Sequence, residues 1–177
     1  MTSSTNTSLL TAATTESPVG ELTIVASDEG LVAILWDDDD FARCGLSADD
    51  VTGDVTADAH ELIDRAREQL AEYFAGERTE FDVPLDPRGT DFQLAAWAAL
   101  RTIPFGSTAT YGAQARAMGD ANKARAVGAA NGKNPLSIVV PCHRVVGADG
   151  SLTGFAGGVD TKAWLLDHER VVLSRHD

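Results

Sequence analysis

Lysine is nearly absent from this chain: Lys123, Lys133 and Lys162 are all it has among 177 residues, and none lies in the first half. Cysteine is as scarce, with Cys44 and Cys142 far apart and in no CxxC pair. Two such residues do not make a disulfide framework, and no histidine stands at zinc-ligand spacing from either. A reducing cytoplasm is therefore the expected setting, with no metal and no cofactor. Long apolar runs are missing too. Stretches such as Leu31 to Trp36 fall far short of the roughly 18 residues that mark a bilayer-spanning helix, so no membrane partner is expected. Met1 to Thr15 is rich in Ser and Thr but lacks the basic start and apolar core of a signal peptide, and reads as a flexible N-terminus.

What the chain has in abundance is acid. Asp and Glu number 27 against 14 Lys plus Arg, for a net charge of −13. The excess is all on one side. Residues 1–87 carry four Arg against 20 carboxylates, a net of −16, while residues 88–177 carry ten cations against seven carboxylates, a net of +3. The second half suits a polyanion, and the first would be repelled by one. Because 18 of the acids are Asp and lysine is so rare, a protein adapted to concentrated salt is expected, its dense carboxylate surface staying hydrated there.

Local pattern divides the chain further. Leu22 to Ala26 and Leu31 to Trp36 flank Asp28-Glu29-Gly30 and read as a hairpin. Asp37 to Asp40 reads as a solvated loop. Leu62, Ile63, Ala66, Leu70, Tyr73 and Phe74 recur at helical spacing within Ala57 to Phe74, and Gly76 ends the pattern. Phe81 to Leu85 suits a short strand, and Pro84, Pro87 and Gly89 mark a linker at the charge switch. The expected division is a flexible N-terminus over 1–15, an acidic α/β domain over 16–86, and a second domain over 87–177. In that second part Thr90-x-x-Gln93 opens a helix to about Leu100. A short helix from Tyr111 to Met118, a Gly119 turn and a helix from Ala121 to Ala130 capped by Asp120 make a helix-turn-helix candidate. The small residues of the second helix would let its backbone approach a groove closely, although such helices also pack in ordinary cores. Asp160 can cap a last helix running to Glu169.

Chemistry concentrates in Pro141-Cys142-His143-Arg144-Val145, which closes the apolar run Ile138 to Val140 where a buried strand is expected to stop. A thiol is a strong nucleophile only as thiolate, and apolar surroundings raise its pKa unless a basic or cationic partner intervenes. His143 is the adjacent candidate. A buried cysteine beside a surface histidine is the commonplace alternative for such a pair.

Taken in order, Thr110-Tyr111-Gly112, Ala124-Arg125-Ala126-Val127-Gly128, Asn134-Pro135, the Pro141 to Val145 segment, Gly157-Gly158 and Leu165-Leu166-Asp167-His168-Glu169 resemble the C-terminal domain of the O6-alkylguanine-DNA alkyltransferases (methylated-DNA–protein-cysteine methyltransferases). The resemblance runs from about Asp91 to Glu169; the acidic half matches only in its order of elements. It implies an α/β N-terminal domain, an antiparallel sheet plus helix of the ribonuclease-H-like type, followed by a mainly α C-terminal domain with the helix-turn-helix. It further implies direct reversal of DNA damage: irreversible, stoichiometric transfer of a methyl or larger alkyl group from O6-alkylguanine, and from O4-alkylthymine, to Cys142. On the same basis His143 would take the thiol proton through a water, Glu169 would orient the imidazole, Tyr111 would offer its phenol to the departing base, and Asn134 would brace the turn. The target nucleotide must leave the stack. Arg125 would fill its place from the minor groove, with Lys123, Ala124 and Ala126 beside it on the DNA. Val145, Phe155, Ala156 and Gly157 would form the substrate pocket. Phe155 and Ala156 stand where family members often carry Tyr and Ser, which leaves the tolerated alkyl size open. The family's zinc ligands have no counterpart here. A monomer acting on alkylated double-stranded DNA is expected, cytoplasmic and nucleoid-associated when bound. The rival readings are a non-catalytic lesion sensor, a thiol-based DNA-binding regulator, and a cysteine hydrolase, which would not need a helix-turn-helix.

Overall fold

A computed structural model describes residues 10–51, 56–152 and 154–175. The first half builds a three-stranded antiparallel sheet from β1 (Thr11–Thr15), β2 (Leu22–Ala26) and β3 (Leu31–Leu35), in the order β1-β2-β3. The expected hairpin is β2–β3, with a register shift between Val25 and Ala26. Thr11–Thr15 corrects the sequence reading. This Thr/Ala-rich stretch has no apolar alternation, yet it pairs along β2 from Thr11–Ala26 to Thr15–Leu22. Residues 1–9 of the expected flexible N-terminus lie outside the described residues.

Alternation along β2 splits the core in two. Leu22, Ile24 and Ala26 face α1 (Ala57–Phe74), whose Ala59, Leu62, Ile63, Ala66, Leu70 and Tyr73 form one buried stripe at helical spacing. Val25, with Val32, Ala33 and Leu35 of β3, faces a second cluster containing Cys44 and Leu46. Thr56 Oγ1 accepts from Ala59 N at the start of α1, and Gly76, at φ 80°, supplies the left-handed residue past its end. All five β3 residues are buried because the strand is covered on both faces and along its free edge. Leu31 N donates to Pro84 O (2.9 Å), and Ile34 N donates to Pro135 O (2.8 Å). Phe81 to Leu85 is accordingly no strand; only Leu85 bridges to Leu31.

The second half is mainly helical: α2 (Asp91–Leu100), α3 (Tyr111–Ala117), α4 (Ala124–Gly132) and α5 (Val159–Ser174), with a two-residue parallel pair of β4 (Ala109–Thr110) and β5 (Val145–Val146). Thr90 and Gln93 close the expected capping box of α2. Gln114 of α3 and Asn131 of α4 exchange two buried hydrogen bonds (3.0 and 2.8 Å), and Trp97 Nε1 donates to Ala130 O (2.8 Å), which locks the helix-turn-helix onto α2. Two helix starts differ from expectation. Asp120 caps a 3-10 turn, Ala121–Lys123, which only then becomes α4. α5 begins at Val159 without a side-chain cap, and Asp160 lies in its first turn as a charge favourable to the helix dipole.

Candidate functional site

The apolar segment before Cys142 is no strand. Val139 N donates to Ser137 O (2.9 Å), Val140 N to Leu136 O (2.8 Å) and Cys142 N to Val140 O (2.8 Å), so residues 136–142 coil tightly inside the core. Ile138 sits at φ 74°, a conformation a β-branched residue adopts only when its surroundings over-determine it. Asn134 does much of that work. Its Nδ2 donates to Val140 O (2.9 Å) while its Oδ1 accepts from Leu136 N (3.0 Å), which ties the two ends of the coil together.

Cys142, His143 and Arg144 form the 3-10 turn that follows, all three buried. Glu169, on α5 and fully buried, is the hub. Its Oε2 accepts from His143 Nε2 (2.6 Å), Tyr73 Oη (2.7 Å) and Arg144 Nη2 (3.1 Å); its Oε1 accepts from Arg144 Nε (2.8 Å) and Gly106 N (3.1 Å). Burial alone would push this carboxyl up, but the hydrogen bonds and charges of His143 and Arg144 outweigh it and hold the group far below the usual carboxylate range. An ionised carboxylate only accepts, so His143 Nε2 must carry the hydrogen it shares with Glu169. The other ring nitrogen, Nδ1, is then left with a lone pair, and it makes no hydrogen bond among the described residues. Burial outweighs Glu169 at the imidazole and lowers its pKa, so the resting ring is neutral. The Arg144–Glu169 ion pair already balances the local charge.

The thiol of Cys142 is pushed up by burial, against opposing pulls from the Asn134 hydrogen bond and the positive charges of Lys162 and Arg43. The same burial lowers the pKa of Lys162, on which the Cys142 side chain acts in the opposite direction. The site at rest therefore holds a thiol, with a neutral base beside it in sequence and the positive charges of Lys162 and Arg43 acting on it. That arrangement can release a proton from sulfur and stabilise the thiolate once it forms.

The remaining candidates are spread around this cluster. Tyr111 is half-buried between α4 and the loop of residues 154–158: a Cβ on Gly128 would lie 3.7 Å from its ring, and one on Gly154 would lie 3.8 Å from its hydroxyl. Phe155 and Gly157 are half-buried in that loop and Ala156 is exposed, whereas Val145 is fully buried in β5 and belongs to the core. Arg125 and Ala126 are exposed on α4, Ala124 is half-buried, and Lys123 is exposed with its ammonium 5.8 Å from the Phe92 ring centre. These four lie apart from the buried cluster, on the outer face of the helix-turn-helix.

Sequence reasoning missed several participants. Tyr73 and Trp36 read as core aromatics, and nothing local marks them otherwise. Lys162 did leave a signal: Lys162, Leu165, Glu169 and Val172 share one face of α5, and that face is buried, so two ionisable residues lie in a core stripe. The Asp37 to Asp40 run also proved more than a solvated loop. Asp40 caps the turn Phe41–Cys44, and Asp39 grips Arg43 through two 2.8 Å hydrogen bonds. Arg43 Nη1 in turn donates to Asn134 O (2.9 Å), so the acidic half holds the loop that braces Cys142.

Comparison with known proteins converges on one family. Residues 91–171 match the DNA binding domain of 6-O-methylguanine DNA methyltransferase, and residues 10–87 match its ribonuclease-like domain. A methylated-DNA–protein-cysteine methyltransferase of Mycolicibacterium paratuberculosis is 46% identical over 159 residues, covering 89% of this chain and 90% of the relative. A crystal structure of Mycobacterium tuberculosis O6-methylguanine methyltransferase superposes with a TM-score of 0.79 at 43% identity, covering 96% of this chain and all of that one. A second structure, M. tuberculosis OGT in complex with DNA, gives 0.80 at 45% identity over 91% of this chain and 93% of that one.

Proposed function

Since the chain belongs to the 6-O-methylguanine DNA methyltransferase family, we propose that it is a single-use DNA repair protein that moves the alkyl group of O6-alkylguanine onto Cys142. The observation that carries this reading is the Glu169 hub, which dictates the tautomer of His143 and leaves Nδ1 as a bare base. In the first step the Cys142 S–H proton passes to His143 Nδ1 through a bridging water, and Glu169 holds the resulting imidazolium. The thiolate then attacks the saturated carbon in line with the guanine oxygen. The S–C bond forms, the C–O bond breaks, and its electron pair leaves on the base. Tyr111 offers a hydrogen to that developing charge, and a proton returns to yield unmodified guanine. The thioether is stable, so each molecule acts once. O4-alkylthymine presents the same alkyl-oxygen bond and is included.

To expose the lesion the nucleotide must rotate out of the stack, which costs a few kcal/mol on the order of one stacking step. Arg125 would fill the gap from the minor groove, a role its exposure on α4 among small residues supports. In this reading the protein works as a monomer in the cytoplasm, where its two cysteines stay reduced. No helix among the described residues is long and apolar enough to cross a membrane. Against the rival of a redox-sensing regulator stands the burial of Cys142: sensor thiols are accessible and low in pKa, and this one is 9% exposed and raised. Intact mass after incubation with an O6-methylguanine duplex tests the reading. One added methyl, mapped to Cys142 and absent in Cys142→Ala, is expected; no gain from that duplex overturns it.

A further inference from the structure

One contact from the acidic half reaches the loop of residues 154–158, whose Phe155 packs against the core cluster that also contains Cys142. Trp36, the residue after β3, is 5% exposed. Its Nε1–H donates to Ser137 Oγ (3.1 Å), and its ring meets Phe155 edge-on, with centroids 5.5 Å apart and planes at 66°. Within the loop of residues 154–158, Gly158 N donates to Phe155 O (3.0 Å), so Phe155 and the turn it anchors move as one piece. Gly157 shows how tightly that piece rests on the indole. Its φ lies outside the left-handed region, so its backbone does not require glycine. Space does: a Cβ there would stand 2.7 Å from Trp36 Cε2 and 2.9 Å from Phe155 Cε2. The backbone that carries the indole is itself held. Asp39 N donates to Trp36 O (3.0 Å), and Asp39 is the residue that grips Arg43. A single N-terminal segment thus supports both the Asn134 loop that braces Cys142 and the loop that carries Phe155.

We infer that Trp36 is a specificity-determining residue, a rigid stop that fixes how near Phe155 and its loop stand to Cys142 and so limits the size of alkyl group admitted. The inference rests on the alkyl-transfer reading above. An indole suits the task, because its large ring has two torsions and is pinned here both on its face and at its N–H. A smaller apolar residue at 36 would leave a void behind Phe155 into which that ring can retreat, and the space in front of Cys142 would grow by the same movement.

The test compares single-turnover rate constants on duplexes carrying O6-methylguanine and O6-benzylguanine. Methyl uptake by the unmodified protein tests the underlying reading; the benzyl-to-methyl ratio of the variants tests Trp36. Trp36→Leu is expected to raise that ratio about tenfold, the discrimination that one or two methylene groups of pocket space provide. Trp36→Phe keeps an aromatic ring against Phe155 but loses the donor to Ser137 and part of the indole's bulk, so its ratio should rise much less than that of Trp36→Leu. Gly157→Ala should slow both substrates in the Trp36 background and much less in the Trp36→Leu background, a coupling that general loss of stability does not produce. Equal losses on both substrates in Trp36→Leu, a Trp36→Phe ratio matching that of Trp36→Leu, or a Gly157→Ala effect independent of residue 36 would each overturn the inference.

Discussion

The half of this molecule with 20 of its 27 carboxylates does not supply the one that organises the site. Most acids before the linker face water, where each is solvated and the ion pairs they make are worth little. Glu169 comes from the weakly basic half and is fully buried under five donors. The acidic half enters the site by other means: the phenol of Tyr73, the indole of Trp36 and the Arg43–Asp39 clamp. Charge count and chemical role have thus separated. Surface charge answers to solvent and salt, whereas catalytic charge answers to desolvation and to whatever donors surround it.

The hardest way to break this contrast is to neutralise the buried carboxylate. Glu169→Gln leaves the Arg144 guanidinium buried without its counter-charge, and a loss of about 3–5 kcal/mol in unfolding stability is expected. Single-turnover alkyl transfer should fall by roughly 10²–10⁴, the range a positioned acid–base group contributes. Equivalent charge removal at the exposed Asp37 should change neither measurement. Acid should reveal the same site in the unmodified protein. Glu169 is held below its ordinary value of about 4.3 and His143 below about 6.5, so both contributions are fully present above those values. Each is lost as pH falls, because the unfolded chain takes up protons that the folded site refuses. The Tm should therefore decline from pH 7 toward pH 5 as His143 begins to count, and further below pH 4; a Tm that rises on acidification contradicts the assignment.

Tyr73→Phe sharpens the comparison by removing one hydroxyl of the acidic half from the other half's carboxylate. The ring stays packed against Phe105 and His168, so only the 2.7 Å hydrogen bond to Glu169 is lost. A destabilisation of about 1–2 kcal/mol in unfolding stability is expected. Deprived of this donor, Glu169 holds the imidazolium more strongly, and the acid limb of the pH–rate profile should move to higher pH. An unmoved profile would reduce Tyr73 to packing.

The smallest effect belongs to the surface. At molar salt the Debye length is about 3 Å, so repulsion among the N-terminal carboxylates is screened and the Tm should rise from low to molar salt. DNA affinity should then depend on flipping and pocket contacts more than on phosphate attraction. A slope of log affinity against log salt corresponding to about six or more released counterions would contradict this.

Local pattern made much of the fold legible. The α1 stripe, the β2–β3 hairpin and the Thr90–Gln93 box are short-range features, fixed by periodicity, turn residues and capping within a few residues. The errors fall where distant chain decides. Thr11–Thr15 is a strand only because β2 offers it an edge, and the Ile138 to Val140 run, apolar enough for a strand, is bent by Asn134 into a coil with Ile138 at φ 74°.

The same division holds at the site. The sequence by itself determined which residues are candidates: through its resemblance to the family it singled out Cys142, the adjacent His143, Glu169 and the helix-turn-helix, residue identities that any alignment of motifs can read. Only the tertiary structure decided that Glu169 is ionised, that His143 is neutral with Nδ1 bare, and that Cys142 rests as a thiol. Those states depend on desolvation and on donors brought from afar: Tyr73 reaches Glu169 across 96 positions of chain and Trp36 reaches Ser137 across 101, and no local pattern encodes a neighbour at that distance.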